Sequence, residues 1–216
     1  NEGLPDFPKD YLTKVSKLVR DSGGVVILDE VQAGFGRTGT WWGYELSNVS
    51  PDIVVMGKPM GSGLPVSGVV ATEEITNSFH KKAFYFNTTA ATPLQAAVGR
   101  TVIDIIQDEG LIENAAKVGN YLKNELKNIK DNFDFLGDVR GPGLFIGLDI
   151  VDNKEDKNPD KDKAIKLVEK LKTRGVLISN AGQYRNVLKL RPPLIFDSSH
   201  ADLLLERLGT SFKEVS

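Results

Sequence analysis

Apolar residues near the start of the chain first recur at helical spacing and then form a short uninterrupted run. Between residues 10 and 20 they occupy positions 12, 15, 18 and 19, a spacing that predicts an amphipathic helix. Two glycines end this helix, and the apolar run at 25–28 predicts a strand buried on both faces, as in a parallel sheet. Asp29 follows this run directly. Because open α/β sheets bind ligands beyond the carboxyl ends of their strands, Asp29 lies at a candidate ligand site.

Two further apolar runs, bounded by glycine and proline, predict strands at 52–56 and 66–71. Lys58 comes just after the first of these strands, so we expect it at the same edge of the sheet as Asp29. A long helix at 93–107 then leaves the sheet, and a second helix follows at 111–130.

The second half of the chain has a different pattern, in which short strands surround a helix. Because this arrangement is typical of a separate α+β unit, we predict domains at 1–107 and 108–216. A closing amphipathic helix at 198–213 is predicted to begin with Ser198 or Ser199 as its N-cap. The other elements predicted in this half are strands at 135–139, 144–150, 176–179 and 187–190 and a helix at 161–174.

Lys58 stands between an apolar strand and a loop rich in glycine and proline. In the structural interpretation, its aliphatic stem lies along the strand end and the amine reaches water. In the functional interpretation the lysine is buried, and burial favours the neutral amine that can form a Schiff base with a carbonyl group. The residue alone leaves both interpretations open.

The glycines near Lys58 do not form a nucleotide-binding motif. In a phosphate-binding P-loop the glycine-rich loop precedes the lysine and a serine or threonine follows it, whereas here the loop follows the lysine and Pro59 takes the hydroxyl position. The segment 61–63 lacks the third glycine of a dinucleotide-binding fingerprint. Both nucleotide motifs are therefore set aside.

Asp29 and Glu30 end a hydrophobic strand, where an unpartnered carboxylate would cost roughly several kcal/mol in lost hydration. We therefore expect a cationic partner for this acidic pair. The ring nitrogen of pyridoxal phosphate would be one such partner, and a carboxylate there would keep the ring protonated as an electron sink. A salt bridge to Arg37 and a metal site are the alternatives. A metal is disfavoured because the only two histidines, His80 and His200, fall on predicted helix surfaces.

Composition narrows the class of partner. The chain has 216 residues, of which 40% are hydrophobic, enough for a packed core. A net charge of −2, with lysine and arginine scattered along the chain, disfavours binding to nucleic acid or to a membrane, so we expect small-molecule partners. The absence of cysteine agrees with a cytoplasmic location. Because the chain lacks an initial methionine and opens close to a predicted helix, we expect a fragment.

Three motifs, taken in order, identify a family. Residues 28–39 read LDEVQAGFGRTG, and they are followed by PDI at 51–53 and GK at 57–58. This set resembles the class III (omega-type) aminotransferases of pyridoxal-phosphate fold type I, over about residues 10–212. The resemblance implies an α/β fold, in which the latter part of the large-domain sheet is followed by a C-terminal α+β small domain.

The resemblance also implies roles for four residues at the cofactor. Lys58 matches the lysine that carries pyridoxal 5'-phosphate as a Schiff base, and Asp29 matches the partner of the ring nitrogen. Gln32 matches the residue that hydrogen-bonds the phenolic oxygen of the cofactor. Thr88 matches a threonine placed against the cofactor phosphate of the neighbouring subunit, which implies a homodimer with shared active sites.

Two segments depart from the family pattern. After Thr88 the family usually has an aromatic residue, two glycines and asparagine, whereas residues 89–92 read TAAT, and the added methyl groups constrain this loop. Lys189 stands where the family commonly has an arginine that grips an α-carboxylate. Because lysine lacks the bidentate fork of arginine, Lys189 would bind a carboxylate or a phosphate as a point charge, and it is the candidate substrate-binding residue. Arg191 is a second candidate for the same role.

From this resemblance we expect transfer of an amino group from an amine or amino acid to a 2-oxo acid. Lys189 and the glycine-rich loop after Lys58 are also similar to the branch of the family that contains alanine–glyoxylate aminotransferase 2 and ethanolamine-phosphate phospho-lyase. The alternative is therefore elimination of phosphate from phosphoethanolamine or a related amino-alcohol phosphate. A third hypothesis, an inactive partner subunit, rests only on the altered loop at 89–92.

Overall fold

The computed structural model describes residues 2–215. They form two compact units: a first unit of residues 7–112, and a second unit of residues 2–6 together with 113–215. The division at 112/113 lies close to the boundary predicted after residue 107, but the return of residues 2–6 to the second unit was not predicted. Within residues 2–215, no helix combines the length and the apolar character needed to cross a membrane.

The first unit contains a three-stranded sheet whose strands lie side by side in chain order. Its first two strands are parallel and its third is antiparallel to the second, so the sheet is mixed. The strands are β1 (Ile27–Asp29), β2 (Ile53–Met56) and β3 (Gly68–Ala71); the helices are α1 (Tyr11–Asp21), α2 (Glu73–Lys82) and α3 (Pro93–Asp108), with 3₁₀ turns at Gly43–Ser47 and Lys58–Gly61.

The three predicted strands exist in this unit, but the first spans 27–29 instead of 25–28 and the third begins at 68 instead of 66. The helices that became α1 and α3 are confirmed, whereas α2 was not assigned bounds from the sequence. The prediction that the first strand is buried on both faces was wrong. Val25 is 51% exposed and Ile27 is 55% exposed. Their hydrophobic side chains stay accessible because no element within residues 2–215 covers them.

The second unit is an antiparallel sheet covered on one face by helices. Leu148 pairs with Leu188 in the middle of the sheet, and both side chains are fully buried among helix residues such as Leu122 and Phe212. In sheet order the strands are β4 (Leu136–Arg140), β5 (Ile146–Ile150), β7 (Val187–Leu190) and β6 (Ser179–Ala181); the helices are α4 (Leu111–Lys130), α5 (Lys161–Thr173) and α6 (Ser198–Lys213).

Two predictions in the second unit were wrong. The strand predicted at 176–179 begins only at Ser179, because Val176 and Ile178 pack against the core from a connecting segment outside the sheet. The N-cap of α6 is Asp197, whose carboxylate accepts a hydrogen bond of 2.9 Å from the backbone N–H of His200. Neither Ser198 nor Ser199 caps the helix.

Candidate active site

The carboxyl ends of β1 and β2 place Asp29 and Lys58 at one edge of the sheet. The two strands are parallel neighbours, with Asp29 opposite Val55, and paired strands lie about 4.8 Å apart. Lys58 begins the 3₁₀ turn that follows β2. Both side chains are exposed, so residues 2–215 do not supply the burial that was expected for the lysine. The fold thus brings a carboxylate and a primary amine to one accessible edge.

The backbone at Lys58 adopts a conformation that is uncommon for a residue with a side chain. Its φ angle is 43°, in the left-handed region, which costs a non-glycine residue on the order of 1 kcal/mol. The turn is closed by a hydrogen bond of 3.1 Å from the N–H of Met60 to the carbonyl of Gly57. Residues held in this way cluster at functional sites, where the surrounding structure fixes them.

The carboxylate of Asp29 is oriented by the turn that follows β1. Its Oδ1 atom accepts a hydrogen bond of 2.9 Å from the backbone N–H of Val31. Gln32 comes next in the same turn and is half-buried. The sequence motif that contains Asp29 and Gln32 therefore forms one short turn at the edge of the sheet.

Glu30 does not need the cationic partner that was expected for it. The residue is only 3% exposed, and its carboxylate accepts hydrogen bonds from the backbone N–H groups of Gly43 (2.8 Å) and Tyr44 (2.9 Å). Burial raises the pKa of the Glu30 carboxyl group, and these two hydrogen bonds act in the opposite direction. The expectation of a cation was wrong here because backbone amides satisfy the buried acid.

Thr88 lies in an exposed turn between α2 and α3. The side chain of Asn87 closes this turn, since its Oδ1 atom accepts bonds of 3.0 Å from both the backbone N–H and the hydroxyl of Thr89. Thr92 then caps α3 by accepting a bond of 3.3 Å from the N–H of Gln95. The departure from the family pattern at 89–92 therefore forms a closed turn that leads into a capped helix.

Ala91 provides a test of the constraint in this loop. Its φ angle is 54°, so Ala91→Gly is expected to raise the free energy of unfolding by about 0.5–1 kcal/mol, the left-handed strain relieved less the added chain entropy. The matched control is Ala90→Gly, at a position outside the left-handed region, which is expected to lower it by a similar amount. Chemical denaturation of both variants measures the difference, and equal effects would contradict the strain at Ala91.

Lys189 belongs to the second unit, in β7, where it pairs with Gly147 of β5 and Ser179 of β6. Its side chain is half-buried, and Nζ lies 5.8 Å from the centre of the Phe145 ring. It also lines a cavity of about 480 Å³ that includes Arg191. Lys189 is therefore a cation beside an aromatic ring at the wall of a cavity, and its role in binding an anionic substrate group stays a prediction.

The chain matches the family model described as aminotransferase class-III over residues 1–212. It therefore belongs to the class III aminotransferase family. It is 39% identical to alanine–glyoxylate aminotransferase 2 homolog 2, mitochondrial, of Arabidopsis thaliana, over 99% of this chain and 44% of that protein. It is 40% identical to ethanolamine-phosphate phospho-lyase homolog 1 of Caenorhabditis elegans, over 89% of this chain and 42% of that protein.

Among solved structures, a phospholyase from Arthrobacter in complex with phosphoethanolamine matches with a TM-score of 0.95 and 45% identity, over 98% of this chain and 50% of that chain. The chain thus spans half or less of the length of the relatives that it matches. These findings confirm the expected family and the fold type I architecture. Because class III aminotransferases depend on pyridoxal phosphate, they also confirm the expected cofactor.

Proposed function

We propose that the protein containing this chain moves an amino group from an amine or amino acid to a 2-oxo acid, with pyridoxal 5'-phosphate held at the edge formed by β1 and β2. The observation that carries this proposal is the placement of Asp29 and Lys58 at the carboxyl ends of adjacent parallel strands. An amine that binds the cofactor aldehyde and a carboxylate that accepts a hydrogen bond from the ring nitrogen are the partners that this cofactor uses. The residues present therefore fit the group.

When bound, pyridoxal phosphate supplies an electron sink for the carbon that loses a proton. Lys58 would hold the cofactor through its amine and, once displaced by the substrate, would carry the proton at the reacting carbon. Asp29, held by the Val31 N–H, would accept a charge-assisted hydrogen bond from the protonated ring nitrogen and so keep the proton on the ring. Gln32 would donate a hydrogen bond to the phenolic oxygen of the cofactor, and Thr88 would contact the cofactor phosphate of the neighbouring subunit.

Phosphate elimination from an amino-alcohol phosphate is the second candidate. It is favoured by the similarity to the Arthrobacter phospholyase, whose structure contains phosphoethanolamine, and by the lysine at position 189. Lys189 would bind the substrate phosphate as a point charge, without the bidentate fork with which an arginine grips an α-carboxylate. The third hypothesis, an inactive partner subunit, is opposed by the retention of Lys58, Asp29 and Gln32.

A homodimer with shared active sites is part of the proposal. The segment before Thr88 carries three exposed aromatic side chains, and Phe84 is 94% exposed. Clustered exposed apolar residues mark surfaces that bind other proteins.

We also propose that the first unit belongs to the large domain of fold type I and the second unit to the small domain. We propose a cytoplasmic location for the protein, whereas the Arabidopsis relative is named mitochondrial.

The two activities are separated by adding one amine at a time, without an oxo acid, to the full-length protein. With alanine, an aminotransferase is expected to lose the visible absorbance of its bound cofactor once and to regain it when a 2-oxo acid is added. With phosphoethanolamine, a phospho-lyase is expected to release phosphate over many turnovers while the absorbance persists. Phosphate release would make elimination the function, and no response to phosphoethanolamine, to alanine or to any of a panel of other amines and amino acids would overturn both candidates.

A further inference from the structure

Glu30 is buried at the candidate active site and has no role in the proposed chemistry. We infer that Glu30 is a positioning residue, whose carboxylate holds residues 31–47 (the β1 loop) so that Asp29 and Gln32 are fixed toward the cofactor. The inference rests on the proposed function, because it assigns these two residues to cofactor binding. It concerns a residue that would touch neither the cofactor nor the substrate.

Glu30 connects three parts of the first unit. Its backbone N–H donates to the carbonyl of Val55 at 2.9 Å, which continues the pairing of β1 with β2 toward Lys58. Its carbonyl accepts a bond of 2.9 Å from the N–H of Gly34, which closes the turn that contains Gln32. Its carboxylate binds the N–H groups of Gly43 and Tyr44. One residue thus ties the second strand, the Gln32 turn and the far end of the β1 loop together.

The carboxylate caps a 3₁₀ turn from a distance in sequence. Gly43 and Tyr44 begin the turn Gly43–Ser47, and the first N–H groups of a helical turn have no partner within the turn. Both oxygens of Glu30 are needed, one for each amide. A glutamine at this position would keep the size of the side chain, but its amide nitrogen would face an N–H donor.

The β1 loop is packed too closely to replace these hydrogen bonds by rearrangement. A Cβ atom at Gly43 would lie 2.7 Å from the Cβ of Ala33, and one at Gly34 would lie 2.9 Å from the ring of Trp42. Phe35 is buried and packs edge-to-face on Trp42 at 5.2 Å. The start of the β1 loop (residues 33–35) and its later part (residues 42–43) are therefore in contact, and the Glu30 carboxylate lies beside that contact.

Buried acids are sensitive to the charges around them. Burial raises the pKa of Glu30, the amides of Gly43 and Tyr44 lower it, and the carboxylates of Glu45 and Asp29 raise it further. A variant of Glu30 removes both a negative charge and two hydrogen bonds. Glu45 carries another negative charge in the same loop and takes no part in these two hydrogen bonds. Glu45 therefore provides the control that separates the two effects.

The test compares Glu30→Gln with Glu45→Gln in the full-length protein. Glu45 is exposed, and its contact with the N–H of Trp42 is long, at 3.4 Å, so its variant removes a charge and leaves the buried carboxylate in place. In the cofactor-free protein, Glu30→Gln is expected to speed hydrogen–deuterium exchange of the Gly43 and Tyr44 amides at least tenfold, while a peptide covering β4 and β5 stays unchanged. The dissociation constant for pyridoxal phosphate is expected to rise at least tenfold. Glu45→Gln is expected to change both quantities less than twofold.

If Glu30→Gln does not fold, Glu30→Asp is measured in its place. Its carboxylate is one methylene shorter and reaches a single amide, so both effects are expected to be smaller but still larger than those of Glu45→Gln. Faster exchange with an unchanged cofactor dissociation constant would overturn the inference, as would unchanged exchange. Failure of the wild-type protein to bind pyridoxal phosphate would refute the proposed function itself, and this is seen before any variant is compared.

Discussion

Replacing Lys58 with alanine is expected to lower turnover by at least about a thousandfold, because the amine would be both the attachment point of the cofactor and the base at the reacting carbon. Lys58→Arg keeps the positive charge but lacks a nucleophilic amine, so it is expected to lose activity to the same extent. Lys81→Ala removes another exposed lysine of the first unit, in α2, and is expected to be neutral.

The visible absorbance of the bound cofactor checks the Lys58 prediction without relying on a substrate. Wild-type protein and Lys81→Ala are expected to show a band that survives removal of free cofactor by gel filtration, and both Lys58 variants are expected to lose it. Activity above one tenth of the wild-type value in Lys58→Ala would rule out the assigned role. A wild-type protein with the band but without activity toward any amine would favour the inactive partner subunit.

The positions of Asp29 and Lys58 could be predicted because Asp29 ends a strand, and Lys58 follows a strand, that the apolar runs already indicate. The carboxyl ends of neighbouring parallel strands meet at one edge of the sheet. Two residues at these ends therefore lie near each other even though they are far apart in the sequence. The partners of Glu30 could not be predicted in this way. Gly43 and Tyr44 lie 13 and 14 residues away along an irregular loop, and no periodic pattern fixes where such a loop returns.

The N-cap of α6 shows a second limit of the sequence. Asp197, Ser198 and Ser199 are all residue types that cap helices well, so their chemistry cannot choose among them. The backbone decides, because Asp197 is extended whereas Ser198 already lies within the helix. Helix bounds were predicted correctly for α4 and α6, but the capping atom depends on a single pair of dihedral angles.

Glycines inside helices show the same limit more sharply, because identical residues in identical secondary structure have opposite surroundings. Gly119 lies in α4 and Gly209 in α6. A Cβ atom at Gly119 would lie 2.1 Å from the carbonyl oxygen of Gly143, which is backbone and cannot move aside by changing a rotamer. A Cβ atom at Gly209 would meet nothing within 4 Å. Helix propensity alone favours alanine over glycine at both positions by about 1 kcal/mol.

Gly119→Ala is therefore expected to lower the free energy of unfolding by about 3 kcal/mol, because α4 must shift away from the segment that leads into β5. Gly209→Ala is expected to raise it by about 0.5–1 kcal/mol through the lower entropy of the unfolded chain. Denaturant unfolding followed by circular dichroism measures both variants against wild type. Stabilisation by Gly119→Ala would show that α4 does not approach Gly143 as closely as the structure places it. Since Gly119 belongs to the second unit and Lys58 to the first, a Gly119→Ala protein that keeps its cofactor would further show that cofactor binding tolerates a shift of this helix.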